Sequence, residues 1–357
     1  MDTAEVVVVG GGVMGASVAW HLRWLGIDDV VLVERDVLAS GSTSKSAGGF
    51  RAQFADELNI RIALGSLDEL EAMDGVELHQ HGYLFLLDNK GDVERFRAAL
   101  ALQHSLGVPS RELSVDEALA IVPQLAPDGL LAATFCELDG HVTPEDVVQW
   151  YARELDVRQG CEVVGIDIDG GRITGVETTR GRIATNAVVC CAGAWSSDVG
   201  AMAGVDIPVH GVQRWMHFTP SDGGLPARLP LTVDFSTGFY FHREGPGLAF
   251  GGREQTLEGI AIPAARRLPV LAELPVQSSG WGYYEVSPDY NAIVGEAESP
   301  TRFLYATGFS GHGFQQAPAV GQHVAELIAG MAPTLDLSPF SLERFERNEA
   351  RPEAFVI

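Results

Sequence analysis

The hydrophobic pattern opens on a strand. Glu5 to Val9 ends in four consecutive valines, and an unbroken β-branched run is what a strand buried on both faces requires. A glycine cluster follows, and then apolar residues at helical spacing through Val18, Leu22 and Leu25 predict a helix. A second apolar run, Val30 to Val33, ends in Glu34. An amphipathic helix is predicted from about Glu57 to Met73. Thr143-Pro144-Glu145-Asp146 supplies a cap hydroxyl, an N1 proline and two acids, so a helix is predicted from there to about Leu155. Strands are expected at Glu162 to Ile166, Arg172 to Thr178 and Ile183 to Cys191, the last running into Ala192-Gly193-Ala194-Trp195. From Gly82 to Phe135 and from Val209 to Val286, aromatic and β-branched residues alternate with polar ones, which predicts a mainly antiparallel sheet. A strand at Phe303 to Thr307, a second glycine turn and a helix to about Ile328 close the pattern.

The first of these units carries chemistry. Gly10, Gly12 and Gly15 form a GxGxxG turn between a strand and a helix: the first makes the tight turn, the second lets backbone approach a pyrophosphate, and the third lets helix and strand pack closely. The helix N-terminus offers free N–H groups and positive dipole to phosphate. Glu34 is placed to accept hydrogen bonds from ribose hydroxyls and disfavours a 2′-phosphate. The unit reads as a dinucleotide site; the alternative is a glycine-rich turn in an unliganded α/β domain. The small, polar run from Ala39 to Gly49, anchored by Phe50, Arg51 and Phe54, reads as a loop cradling the cofactor, against a surface linker as the alternative.

Composition narrows the partners. The 357 residues suit two packed domains. Lys and Arg total 24 against 48 Asp and Glu, a net charge of −24, so nucleic acid and anionic lipid surfaces are poor partners. Cys136, Cys161, Cys190 and Cys191 show no CxxC spacing, and the histidines form neither HExxH nor a helical HxxxH, so no metal site is expected. No apolar run approaches 18 residues and no leader pattern precedes the first strand, so the expectation is a reduced, cytoplasmic protein without a membrane span. The only lysines are Lys45 and Lys90, which leaves few anchors for a pyridoxal Schiff base.

Five stretches together resemble the D-amino-acid-oxidase-like flavoprotein superfamily, and within it the sarcosine oxidase and dye-linked L-proline dehydrogenase beta-subunit branch. They are Gly10 to Glu34, the loop from Gly41-Ser42-Thr43 to Arg51, Ala192-Gly193-Ala194-Trp195, Ser287-Pro288-Asp289, and Gly308-Phe309-Ser310-Gly311-His312-Gly313-Phe314. The resemblance covers nearly the whole chain. It implies an α/β fold (α+β overall), with a Rossmann-like FAD-binding domain at 1–79, 140–208 and 289–357, and a mainly antiparallel-sheet substrate domain at 80–139 and 209–288. The implied FAD contacts are Gly10, Gly12, Val13, Met14, Gly15, Glu34, Arg35, Ser42, Thr43, Ser44, Lys45, Ala47, Gly48, Gly49, Val163, Ala192, Gly193, Trp195, Gly311, His312, Gly313, Phe314 and Gln315. Where relatives attach flavin through a cysteine or a histidine, this chain has Gly282 and Lys45, so noncovalent FAD is expected. The lysine that speeds oxygen use in sarcosine oxidases is matched by Ala249, which favours a dehydrogenase over an oxidase.

The implied substrate is a small amino acid or N-alkyl amino acid, sarcosine- or proline-like, oxidised next to its nitrogen. Such chemistry needs a neutral amine, a hydrogen aimed at the flavin and a fixed carboxylate. By the resemblance Arg51 holds that carboxylate, with an ion pair to an acid such as Asp56 as the alternative, and Gln315 takes the place of a second cationic ligand. Arg253 could restore the missing charge or face solvent. Tyr240 could orient the amine or pack in the sheet, and Tyr284 resembles a further active-site tyrosine. His210, Gln213, Arg214 and Trp215 are open as pocket or packing residues, and His312 is read as holding backbone rather than as a base. Oxidation of a hydroxy acid or polyol phosphate, or service as an FAD-holding subunit of a hetero-oligomer, are the competing readings. The electron acceptor (oxygen, quinone or partner protein) and the oligomeric state stay open.

Overall fold

The computed structural model describes residues 2–355. Its centre is a six-stranded sheet in the order Asp156–Arg158, Val30–Val33, Val6–Val9, Ala187–Cys190, Phe303–Thr307, Ile293–Glu296. Neighbours run parallel except the last, which is antiparallel to Phe303–Thr307. The valine run is central for the reason its composition suggests. Val6 and Val8 join one buried cluster and Val7 and Val9 another, so alternate side chains fill both faces. Helices Val13–Trp24, Glu57–Ala72 and Gly313–Ile328 contribute to the first cluster. The first and third of these pack so closely that Ser17 Oγ donates to Ala317 O at 2.8 Å.

An eight-stranded sheet has the order Ser278–Val286, His210–Phe218, Gly247–Gly251, Phe239–Glu244, Leu231–Asp234, Tyr83–Leu87, Ala132–Cys136, Arg111–Leu113. All its strands come from 80–139 and 209–288, and all strands of the six-stranded sheet come from the other segments. A three-stranded sheet, Gly49–Phe50, Gly140–Val142 and Leu78–His79, lies at the segment junctions.

Three expectations are corrected. The run Ile183 to Cys191 is two strands in two sheets, Gly181–Ala184 and Ala187–Cys190. Thr185 makes the break: its hydroxyl accepts from Ala187 N and donates to Glu5 O, so the chain turns through its side chain. The large sheet is mainly antiparallel as expected, with one parallel pairing, Leu231–Asp234 beside Tyr83–Leu87. The stretches read as sheet also hold helices Lys90–Ser105, Val115–Ile121 and Leu257–Arg267, capped by Asn89, Ser114 and Thr256. Thr143 stands at the N-cap of helix Pro144–Ala152, but its hydroxyl makes no capping bond.

Candidate active site

A groove of 760 Å³ runs over the C-terminal ends of Val6–Val9, Val30–Val33 and Ala187–Cys190 to the edge of the large sheet. Such crevices are where open α/β sheets bind ligands. At the first end, Gly10 turns the chain at φ +111°. A Cβ at Gly15 would overlap Gly10 O, so the helix can sit on the turn only with glycine there. The helix starts at Val13 with no side-chain cap and no acid in its first turn, which leaves positive dipole facing the groove. Val13 N donates to Thr43 Oγ1 at 3.1 Å, tying the helix start to the loop. Glu34 braces the turn by accepting from Gly11 N and Asp36 N, both at 2.8 Å. Arg35 stacks 3.8 Å over the Trp195 ring. Met14, Val163, Ala192 and Gly193 complete this end.

The other end is built by strand Ser278–Val286 against the loop. Ser42 Oγ donates to Tyr283 O at 2.7 Å, and a Cβ on Gly282 would come within 2.5 Å of Lys45 Cβ. Tyr284 lies against Gly311 with the same tolerance. Arg214 stands opposite Gly282 in the neighbouring strand, its Cζ 5.3 Å from the Tyr284 ring. Glu285 lines the groove and accepts from Thr307 Oγ1 at 2.8 Å; burial pushes its carboxyl up to about 7. Gly311, Gly313 and Phe314 also line the groove, and helix Gly313–Ile328 begins there without a side-chain cap or an acid in its first turn. Two helix N-termini therefore open on one groove.

Several expected site residues lie elsewhere. Arg51 is 3% exposed and absent from the groove wall. Its guanidinium donates to Gln53 O, to Phe355 O at 2.7 Å and to His312 Nε2 at 3.1 Å, and it stacks on Phe54 at 3.9 Å. Asp56 pairs instead with Arg351 at 2.7 Å. Gln315 is buried and accepts from Arg51 N at 2.6 Å. Burial, with Arg51 beside it, pulls His312 down to about 3, so this imidazole is neutral and serves as an acceptor. Arg253 is exposed, donating to Ser236 O near Phe235. Tyr240 lies in the sheet against Gly251, and burial raises its pKa. Gly48 and Gly49 pack on strand Gly140–Val142, and Ser44 and Ala47 do not reach the groove.

Of the four strand residues left open as pocket or packing, Arg214 lines the groove and His210, Gln213 and Trp215 do not; the groove also adds Asp36, Asp198, Met202, Trp281, Tyr283 and Glu285, which had no assigned role. Tyr283 and Glu285 alternate with Gly282 and Tyr284, so the strand period could have placed them on a shared strand, though not beside this groove. Among the described residues no group of three or more His, Cys, Asp or Glu is arranged to hold a metal, and no helix is long and apolar enough to cross a membrane.

Residues 5–327 match the family described as FAD dependent oxidoreductase. The chain is 29% identical to mitochondrial sarcosine dehydrogenase of Homo sapiens over 97% of this chain and 42% of that protein. It thus spans less than half the length of that relative. It is 31% identical to FAD-dependent oxidoreductase domain-containing protein 1 of Xenopus laevis, over 100% of this chain and 85% of that protein. The crystal structure of L-proline dehydrogenase from P. horikoshii superposes with a TM-score of 0.93 at 31% identity, covering 98% of this chain and 100% of that one.

Proposed function

The chain belongs to the FAD dependent oxidoreductase family, and from that premise we propose that it oxidises a small amino acid or N-alkyl amino acid, sarcosine- or proline-like, to the imine. The observation that carries this reading is the single groove with a helix N-terminus at each end, closed at one end by tyrosines and an arginine. The residues present fit an extended dinucleotide. The uncapped helix at Val13 and the turn at Gly10 and Gly12 would hold its pyrophosphate, Glu34 its ribose, and Gly311, Gly313 and Phe314 the edge of its ring. When bound, FAD supplies a two-electron acceptor.

The chain's own part is positioning. The substrate loses a hydride from the carbon beside nitrogen, and the nitrogen lone pair closes the C=N bond. Tyr284 stays a neutral phenol because burial raises its pKa, so it can donate to or accept from an amine beside it. The names of the sarcosine and L-proline dehydrogenases support a secondary-amine substrate.

We also assign noncovalent FAD, because Gly282 offers no side chain for attachment and Lys45 no imidazole or thiol. The electrons go to an acceptor other than oxygen, since Ala249 is fully buried and carries no cation. The four cysteines are free and buried, which suits a reducing, cytoplasm-like compartment. The two sheets form the two domains, with the boundaries given above.

Anaerobic titration with primary and secondary amino acids, read as bleaching near 450 nm, a typical flavin band, tests the reading. Bleaching by secondary amino acids is expected. Bleaching by hydroxy acids and by no amine sinks it. Acid precipitation should release all the yellow colour to the supernatant, whereas colour kept in the pellet contradicts noncovalent binding.

A further inference from the structure

The groove contains a cation that the chain leaves uncompensated. Arg214 lines it at the end formed by Gly282, Tyr283 and Tyr284. Its Nη1 donates to Gln213 O at 3.2 Å, and its Nε is buried without a partner. Among the described residues its donors reach a backbone carbonyl and no carboxylate, in a chain of net charge −24. A buried guanidinium nitrogen without an acceptor costs free energy that a ligand would recover.

The register fixes where the side chain stands. Arg214 is opposite Gly282 and Val212 is opposite Tyr284, so Arg214, Gly282 and Tyr284 share one face of the sheet. Glu285, one residue further on, takes the opposite face and is held by Thr307. Arg214 thus has a phenol beside it and no acid on its own face at this edge. Gly282 adds no cross-strand side chain opposite the guanidinium, and the space its Cβ would take is filled by the Cβ and Cγ of Lys45 from the loop.

Arg51 is the contrasting case. Its donors are taken by Gln53 O, Phe355 O and His312, Phe54 covers one face, and it stays outside the groove. We propose that Arg214, rather than Arg51, binds the carboxylate of the oxidised substrate, so that the site selects amino acids over amines that lack a carboxylate. This rests on the amino-acid reading given above. A planar fork suits a carboxylate because both oxygens can accept at once.

The test uses holoenzyme, R214Q and R214K, comparing the amino acid that bleaches the flavin best with its primary amide. The wild type is expected to prefer the acid by about 10- to 100-fold in kcat/KM, as charge-assisted hydrogen bonds allow. R214Q should erase that preference, R214K should keep part of it, and FAD content should stay equal in all three. A second arm titrates acetate and propionate, which hold no amine, and reads the perturbation of flavin absorbance. R214Q should weaken both by a similar factor. This arm reports on Arg214 even if no amine is ever oxidised, so a wrong clamp and a wrong substrate class come apart. Acid preference kept in R214Q, its loss in R51K alone, or loss of FAD from both Arg214 variants overturns the proposal.

Discussion

Glu285 is a carboxyl group on the groove wall whose pKa burial holds near neutrality. Thr307 Oγ1 donates to it at 2.8 Å, and the thiols of Cys190 and Cys191 lie nearby at the end of the strand Ala187–Cys190. Burial is the main reason its carboxyl sits near 7, above an unfolded value of 4.5, and the bond from Thr307 only partly offsets it. A ligand that fills the groove removes more water and adds the two negative charges of a pyrophosphate, so binding favours the protonated form further. Binding then takes up a proton above pH 7. FAD affinity of the apoprotein should fall by up to about tenfold per pH unit there, the slope for one proton. In E285Q the dependence should flatten. Calorimetric or fluorescence titration from pH 6 to 8 checks this, and equal slopes in both proteins refute it.

Glycine contacts between elements separate cofactor binding from stability. A Cβ at Gly15 would overlap Gly10 O at the turn, whereas one at Gly321 would overlap Ser17 Oγ where helices Val13–Trp24 and Gly313–Ile328 cross. G15A should therefore lose FAD, read as absorbance per chain. G321A should keep FAD and lose about 1 to 3 kcal/mol of stability, the usual cost of overpacking, seen as a Tm a few degrees lower. A G15A protein with full colour would remove the turn from the binding account. The same elements show what was legible in the sequence. Strand, turn, helix and acid from Val6 to Glu34 are local, so spacing alone reveals them. The break at Thr185 depends on a hydroxyl reaching Glu5 O, and the capping box at Ser114 was present in the sequence but hidden in a stretch read as sheet. The pairing of Arg214 with Gly282 joins residues 68 apart, and no local period reports it. Arg51 was placed near the groove by resemblance, but its hydrogen-bond partners lie as far away as Phe355.

At the scale of the molecule, acid should loosen the junction between the small sheet and the large one. His79 and His141 come from the three-stranded sheet, His81 from the adjoining loop and His242 from the large sheet. Their rings lie close together, with His79 to His141 at 5.0 Å and His141 to His242 at 4.7 Å between centroids. His81 Nδ1, His141 Nδ1 and His242 Nε2 are buried without partners. Burial first, and then neighbouring imidazoles, hold His141 near 2, while burial holds His242 near 4, and burial with Arg228 lowers His81. Glu77, 3.8 Å from His79, and Glu244, whose own pKa burial raises, are the acids at this cluster, and Arg228 and Arg243 are its cations. A histidine whose folded pKa is depressed binds fewer protons folded than unfolded, so its stabilising share is complete above 6.5 and is lost as pH falls toward the folded value. Between pH 6.5 and 5 that loss is at most about 2 kcal/mol each for His141 and His242, at about 1.4 kcal/mol per pH unit. His217, His312 and His323 are also depressed, so the informative quantity is a difference between proteins. Urea unfolding of the wild type and H242Q from pH 7.5 to 5 should show a shallower decline in the variant, by close to one proton. Identical slopes would mean that the interface opens to solvent before the imidazoles are forced to charge, and the four rings would then be packing rather than an acid-sensitive joint.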